Sequence, residues 1–507
     1  MELSVLLFLT SGLFLGWSLG ANDAANVFGT AVGTRMVTFF TAAVVCSVFV
    51  VLGAVISGSG AAHTLGALGS VNALAGSFMA ALAAGLTVYY MTKWGLPVST
   101  SQAIVGAIIG WNLFSDSVTD TSTLLKIVST WIACPLLAGL IAVVLLKIVT
   151  AFLHVMKFHL LRLDAYTRLA LVFAGAFGSY SLGANNIANV MGVFVDVSPF
   201  TKIQFDGLFT LSSVEQLFLL GGLAIAVGVF TYSKRVMMTV GSALMPMSPV
   251  AAWVVVIAHS IVLFLFASEG LEHLLAQSGL PTIPLVPVSS SQAVVGAVIG
   301  LGLMRGGKDI DWKLVGNIGL GWLTTPVISA LVCFVFLFFL QNVFNQRVYN
   351  EVHYVLSERV LEKLDEQGLV TEDLAELKGE DFPSARAFLD AFDQSTFVSS
   401  ERVKKALTIA ELRPVSIHPD WIDSLDREWL TPAQFDALNR LVGARFDHVW
   451  QLQEALSTMS DEWRFRPSTK ANKLINKDLA QKLEYLVRHF AIAKTEQSRR
   501  RVRRLSY

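Results

Sequence analysis

The chain has 507 residues, 38 basic and 38 acidic, with only 15% charged, 54% hydrophobic and a mean hydropathy of +0.59. Soluble domains are about one-quarter charged, so this composition excludes an ordinary soluble protein over most of the length, and the neutral balance excludes a bulk nucleic-acid surface. The charge is uneven: residues 1–340 hold 13 Lys/Arg and 12 Asp/Glu, and the rest lies in 341–507, so a membrane part followed by a soluble part is expected.

In chain order, apolar runs long enough to span roughly 30 Å of hydrocarbon lie near 3–28, 36–57, 70–92, 123–149, 166–195, 212–232, 248–268 and 312–341. The first, "MELSVLLFLTSGLFLGWSLG", lacks a basic n-region and flows into the next segment, so it reads as a retained helix and not a cleaved signal. Two shorter runs, 98–114 and 288–304, follow prolines and suit half-helices of re-entrant hairpins, where irregular backbone lines a cavity. Cys46, Cys134 and Cys333 all sit in apolar runs without a CxxC or Cys/His cluster, so they read as packing residues, with no transition-metal site and no disulfide framework.

Two phrases recur. "GANDAAN" at 20–26 returns as "GANNIAN" at 183–189, and "PVSTSQAIVGAIIG" at 97–110 returns as "PVSSSQAVVGAVIG" at 287–300, with eleven of fourteen positions identical. Shared order makes the membrane part a duplication, with repeat 1 over 1–150 and repeat 2 over 166–341. Lys147, Lys157, Arg162 and Arg168, with His154 and His159, mark 151–165 as a cytoplasmic basic linker, and Lys234 and Arg235 mark a second cytoplasmic turn. Three spans and one hairpin per half make the halves inverted, with both termini outside.

Asp23 is an ionisable residue inside an apolar segment, flanked by Asn22 and Asn26, and such residues are functional candidates by default. Their oxygens are hard ligands suited to a small cation. Gly20, Gly29 and Gly33 allow close backbone approach and a broken helix with freed carbonyls. The second copy keeps the amides in Asn185, Asn186 and Asn189, with Asn186 replacing the carboxylate. Helix packing through small residues and asparagines explains one such motif; it does not explain two copies, each followed by a proline–hydroxyl motif.

In those motifs Ser99, Thr100, Ser101 and Gln102, and again Ser289, Ser290, Ser291 and Gln292, stand at the head of a short helix. Free backbone N–H groups, hydroxyls and the positive dipole end make an oxyanion site without Lys or Arg. N-capping accounts for one hydroxyl per helix, not for three. A protonated phosphate can donate to the Asp23 carboxylate where sulfate cannot, which favours phosphate.

Beyond 341 the pattern turns to amphipathic helices such as "VHYVLSERVLEKLDEQGL", so 342–507 reads as a soluble helical domain without a catalytic constellation. The closing "RRRVRRLSY" reads as a solvated tail or, on the cytoplasmic side, a contact for anionic lipid.

The two signatures, the two proline–hydroxyl cores and the segment "GGLAIAVGVFTYSKRVMMTVG" at 221–241 resemble the PiT family of inorganic phosphate transporters over about 1–341. The resemblance implies symport of phosphate with Na⁺ or H⁺ through an all-α, polytopic fold of two inverted repeats, each carrying a re-entrant helical hairpin. It implies that Asn22, Asp23, Asn26, Asn185, Asn186 and Asn189 serve cation and phosphate coordination, with Ser99, Thr100, Ser101, Ser289, Ser290 and Ser291 on phosphate. Two departures matter. Gln102 and Gln292 stand where many members have His, which removes a proton carrier and tilts the expectation toward Na⁺. Asn186 stands for the usual Asp, which weakens one cation site and leaves room for another oxyanion. The expectation is a multi-pass protein of the cell membrane importing phosphate, without a resident cofactor or nucleic-acid partner; the sequence leaves homo-oligomerisation open. A sulfate or related oxyanion permease and a phosphate sensor signalling through 342–507 are the rivals. An enzyme is disfavoured for want of a nucleophile–base pair.

Overall fold

A computed structural model describes residues 3–69, 71–93, 98–200, 203–205, 209–243, 245, 247–369, 376–391, 400–422, 425, 429–467, 469 and 472–492. Pro97 and the basic C-terminal tail lie outside the described residues. The chain is predominantly helical and divides into two units, one of Met1–Glu272 with Ile283–Asn350 and one of His273–Thr282 with Glu351–Tyr507.

Up to Asn342 the described α-helices are thirteen: α1 (Leu3–Gly33), α2 (Phe39–Ser57), α3 (Ser59–Leu68), α4 (Leu74–Lys93), α5 (Thr100–Phe114), α6 (Thr121–Met156), α7 (Leu160–Met191), α8 (Ser213–Thr231), α9 (Ser233–Ala243), α10 (Pro249–Leu265), α11 (Glu269–Gln277), α12 (Ser290–Met304) and α13 (Trp312–Asn342), all in the first unit except α11, whose residues from His273 on belong to the second. Among the described residues six of them, α1, α2, α4, α6, α8 and α13, are long and apolar enough to cross a membrane, and α10 with α11 forms a pair bent by 66°. This is the composition of an all-α membrane protein. Polar residues close the ends of these apolar rods: Thr38 caps α2, Asp120 caps α6, Ser248 caps α10, and Ser212 with Glu215 forms a capping box on α8.

Several expectations shift. Gly29 and Gly33 suggest a break, yet α1 runs unbroken, so its own carbonyls stay in the helix ladder and are not freed as ligands. The segment expected as a 151–165 linker is helical apart from 157–159, where Lys157 adopts a left-handed conformation and His159 caps α7. Lys234 and Arg235 sit at the start of α9, not in an open turn, with Lys234 5.7 Å from the Phe39 ring centroid. A short antiparallel pair, β1 (Ile203–Phe205) and β2 (Phe209–Leu211), joins α7 to α8.

Packing crosses between the two repeated halves. On α1, Gly20 abuts the Ile225 carbonyl of α8, and Gly228 of α8 abuts the Trp17 carbonyl; α7 and α2 match this, with Gly183 against the Val50 carbonyl and Gly53 against the Tyr180 carbonyl. A side chain at any of the four would overlap backbone. The short helices obey the same rule. Gly106 and Gly110 of α5 lie on the Pro326 and Ala330 carbonyls of α13, and Gly296 and Gly300 of α12 lie on the Pro135 and Gly139 carbonyls of α6. The prolines belong to a third repeated phrase, "WIACP" at 131–135 and "WLTTP" at 322–326.

The second unit is itself built twice. Strand β3 (Tyr354–Val355) pairs with β4 (Asp381–Phe382), and β5 (Val415–Ser416) pairs with β6 (Arg445–Phe446). Each pair is approached through a positive-φ glycine, Gly379 or Gly443, whose N–H donates to Leu356 or Ile417. Each has its own core, one around Leu356, Leu364 and Phe388 and one around Ile417, Leu452 and Phe490. Arg413 forks onto Glu484 at 2.8 and 3.1 Å; burial raises that carboxyl, and the Arg413 hydrogen bonds and charge outweigh it, leaving it below its ordinary value.

Substituting Gly183 with Val should destabilise the first unit by about 3 kcal/mol, the upper range for overpacking. Gly316→Ala, which meets open space, should not. Thermal unfolding of the purified protein in detergent, followed by size-exclusion chromatography, reads the difference; equal melting of the two variants would refute the backbone-contact argument.

Candidate functional site

Each site residue is positioned by one of four segments. Asn22, Asp23 and Asn26 lie on α1, and Asn185, Asn186 and Asn189 on α7, one helical turn separating the outer members. Val98–Ser99 leads into α5, and Leu285–Ser289 leads into α12. All fourteen sequence-predicted site residues are buried, none more than 7% exposed.

The structure brings these segments together crosswise. Asn26 Nδ2 of α1 donates to Ser290 Oγ at 3.0 Å, at the head of α12. Asn189 Nδ2 of α7 donates to Ser101 Oγ at 2.8 Å, at the head of α5. The two helix heads then hold each other, since Ser101 Oγ donates to Val288 O at 3.0 Å and Ser291 Oγ donates to Val98 O at 3.2 Å. Asn185 clamps the approach to α12, donating to Val286 O at 3.1 Å and accepting from Val288 N at 2.9 Å. Asn22 donates to Asp23 Oδ1 at 2.8 Å and makes a longer contact of 3.5 Å to Val98 O.

The hydroxyl runs divide their labour. Ser99 and Ser289 are N-caps, accepting from Gln102 N at 3.3 Å and Gln292 N at 3.2 Å. Ser101 and Ser291 commit their protons to the opposite backbone. The middle residues, Thr100 and Ser290, do neither: Thr100 Oγ1 has no partner, and Ser290 Oγ touches only side chains. Gln102 Oε1, Gln292 Oε1, Asn186 Nδ2 and Asn189 Oδ1 are also buried without a partner. An unsatisfied buried polar atom costs about 1–3 kcal/mol. Two amide acceptors, two orphaned asparagine atoms and a lone hydroxyl, on α5, α7 and α12, are therefore polar groups that a small polar ligand would satisfy. Donors from helix heads and Asn186 suit an anion; the amide oxygens and Asp23 suit a cation.

Sequence reasoning missed His259. It lies on α10, is fully buried, and its Nε2 is 2.9 Å from Ser290 Oγ. The signal was present, an ionisable residue inside "VVVIAHSIVLFL". Among the described residues, no group of three or more His, Cys, Asp or Glu side chains is placed to hold a metal ion.

The phosphate transporter family model matches residues 19–333, with a second match at 280–376. A provisionally named phosphate permease of Methanocaldococcus jannaschii is 26% identical over 66% of this chain and 97% of its own length, and one of Haemophilus influenzae is 25% identical over 66% and 96%. A solved structure described as the sodium-dependent phosphate transporter superposes with a TM-score of 0.52 at 25% identity, covering 66% of this chain and all of the other.

Removing the two hydroxyls that join the helix heads, in Ser101→Ala/Ser291→Ala, should cost about 2 kcal/mol at about 1 kcal/mol per hydrogen bond. Hydrogen exchange should accelerate in peptides covering 98–106 and 288–296 while α2 and α13 stay protected. Unchanged exchange in those two peptides would mean that the reciprocal bonds do not hold the heads together.

Proposed function

This chain belongs to the phosphate transporter family, and on that premise we propose that it carries inorganic phosphate into the cell across the cell membrane, coupled to a cation for which Na⁺ is the favoured choice. The observation that carries the reading is the meeting of the two helix heads, with Thr100 and Ser290 left to donate and Asp23 buried on α1, where Asn26 reaches Ser290. Phosphate retains a proton near neutral pH and can donate it to a carboxylate, whereas sulfate meets only like charge. Asn26, Asn185, Asn186, Asn189 and Asp23 supply the oxygen-rich set for the cation, and the name of the sodium-dependent structural relative supports Na⁺ over H⁺.

The two halves form inverted repeats, each contributing a re-entrant hairpin that ends at α5 or α12. The reciprocal Ser101–Val288 and Ser291–Val98 bonds support that reading, as does the matched glycine packing. Alternating access then moves the joined hairpin heads as one body, with α5 riding on α13 and α12 on α6. Residues 377–507 lie beyond the family-model match, and the second unit is assigned no part in the translocation step.

Uptake of radiolabelled phosphate by the purified protein in liposomes tests this, with a Na⁺ or a pH gradient imposed separately and excess sulfate as competitor. Concentrative uptake under the Na⁺ gradient, insensitive to sulfate, is expected. Asp23→Asn should lower it more than tenfold, the effect of about 1.4 kcal/mol or more. Asn186→Asp should be tolerated or should change the cation dependence. Phosphate binding without uptake under either gradient would replace transport with sensing, and competition by sulfate would make the substrate a broader oxyanion class.

A further inference from the structure

We propose that His259 is a positioning residue for phosphate, acting through Ser290: its Nε2–H donates to the second lone pair of the Ser290 hydroxyl, and so leaves the hydroxyl proton to be directed to the anion. The inference rests on the reading of Ser290 as a phosphate ligand.

A serine hydroxyl has one proton and two lone pairs. At Ser290, Asn26 Nδ2 takes one lone pair at 3.0 Å, because an amide nitrogen can only donate. His259 Nε2 lies 2.9 Å away and is the second neighbour. Two tautomers are open to a neutral imidazole. With the proton on Nδ1, that N–H would be buried with no acceptor, since His259 Nδ1 has no partner, and Nε2 would consume the Ser290 proton. With the proton on Nε2, the N–H donates to Ser290 Oγ, and the orphan at Nδ1 is a lone pair. Buried orphan N–H groups are the rarer and costlier case, so the Nε2–H form wins. Ser290 then accepts twice, both lone pairs are filled, and its O–H points to a third group.

The surroundings leave few competitors. The helices packed on α10 are α1, α6, α7 and α12. Among the described residues, the buried ionisable side chains on them are Asp23 of α1 and Cys134 of α6, and Cys134 Sγ is engaged with Ser289 O at 3.7 Å. No fixed cation stands near Ser290 in these contacts, so the anion is held by oriented neutral donors. The arrangement is also one-sided. The counterpart of Ser290 in the first half, Thr100, has no partner on its hydroxyl, so one of the two middle donors is aimed in advance and the other turns freely.

The test separates the Nε2 contact from mere burial of a polar ring. Glutamine places an N–H₂ close to the position of His Nε2, whereas asparagine reaches only the position of Nδ1. Phosphate affinity is measured for the full chain in detergent with Na⁺ by binding of radiolabelled phosphate. His259→Gln should bind within about threefold of the wild type. His259→Asn should weaken binding about five- to tenfold, the worth of one hydrogen bond, and Ser290→Ala should do so at least as much. Adding His259→Asn to Ser290→Ala should cost nothing more, because the histidine acts only through that hydroxyl. Equal affinities for the Gln and Asn variants, or full additivity in the double variant, would overturn the role of His259. Wild-type affinity in Ser290→Ala would instead overturn the reading of Ser290 itself, whatever the histidine variants do.

Discussion

Two hydroxyl-to-carbonyl hydrogen bonds, Ser101 to Val288 and Ser291 to Val98, are the constraint on which the membrane unit turns. Each joins the head of one short helix to the extended residue before the other. A chain that stops being helical inside an apolar bundle leaves carbonyls that water cannot reach. Here the Val288 and Val98 carbonyls are each answered by the serine of the opposite copy. Neither helix head is complete without its counterpart, and so the two must come to one place. The remaining polar groups of that place follow: the caps that shape each helix start, the asparagines that reach across from α1 and α7, and the middle hydroxyls left over.

The glycines make this meeting sterically possible. Gly20, Gly53, Gly183 and Gly228 let the long helices touch backbone to backbone, and Gly106 and Gly296 do the same for the short helices on the proline carbonyls of α13 and α6. Close contact brings dispersion and weak Cα–H···O contacts into play where lipid offers no hydrophobic drive between helices. The signature phrases thus hold two kinds of residue with separate duties. Gly20 and Gly183 set the distance between helices, and the asparagines within the next two turns use it.

Much of this was legible in the sequence, for identifiable reasons. Long apolar runs announce helices because the bilayer fixes their length, and the predicted spans fall on α1, α2, α4, α6, α7, α8, α10 and α13. Repeated polar phrases announced which residues would gather. Sequence repetition shows equivalence, however, and not contact: nothing in "GANDAAN" says that Asn26 serves the second hydroxyl run and not the first. The unbroken α1 was missed because glycine permits a break without requiring one. His259 was missed because it belongs to no repeated phrase. The duplication within the second unit went unseen because little beyond the glycine and phenylalanine of "GEDF" and "GARF" survives in the paired turns.

The crosswise packing has a consequence for the making of the protein. The groove on α1 that receives Gly228 is complete once residue 33 has left the ribosome, yet its occupant lies about two hundred residues downstream. At about 5–20 residues per second, that separation means a wait on the order of 10–40 s. For that interval Asp23 and its asparagines stand in an unfinished bundle, with Asn26 lacking its hydroxyl partner Ser290 of α12. The translation machinery and the insertion site must therefore shelter a half-built polar cluster, and a ribosome stalled between α6 and α8 would release a nascent chain that has nothing to close against.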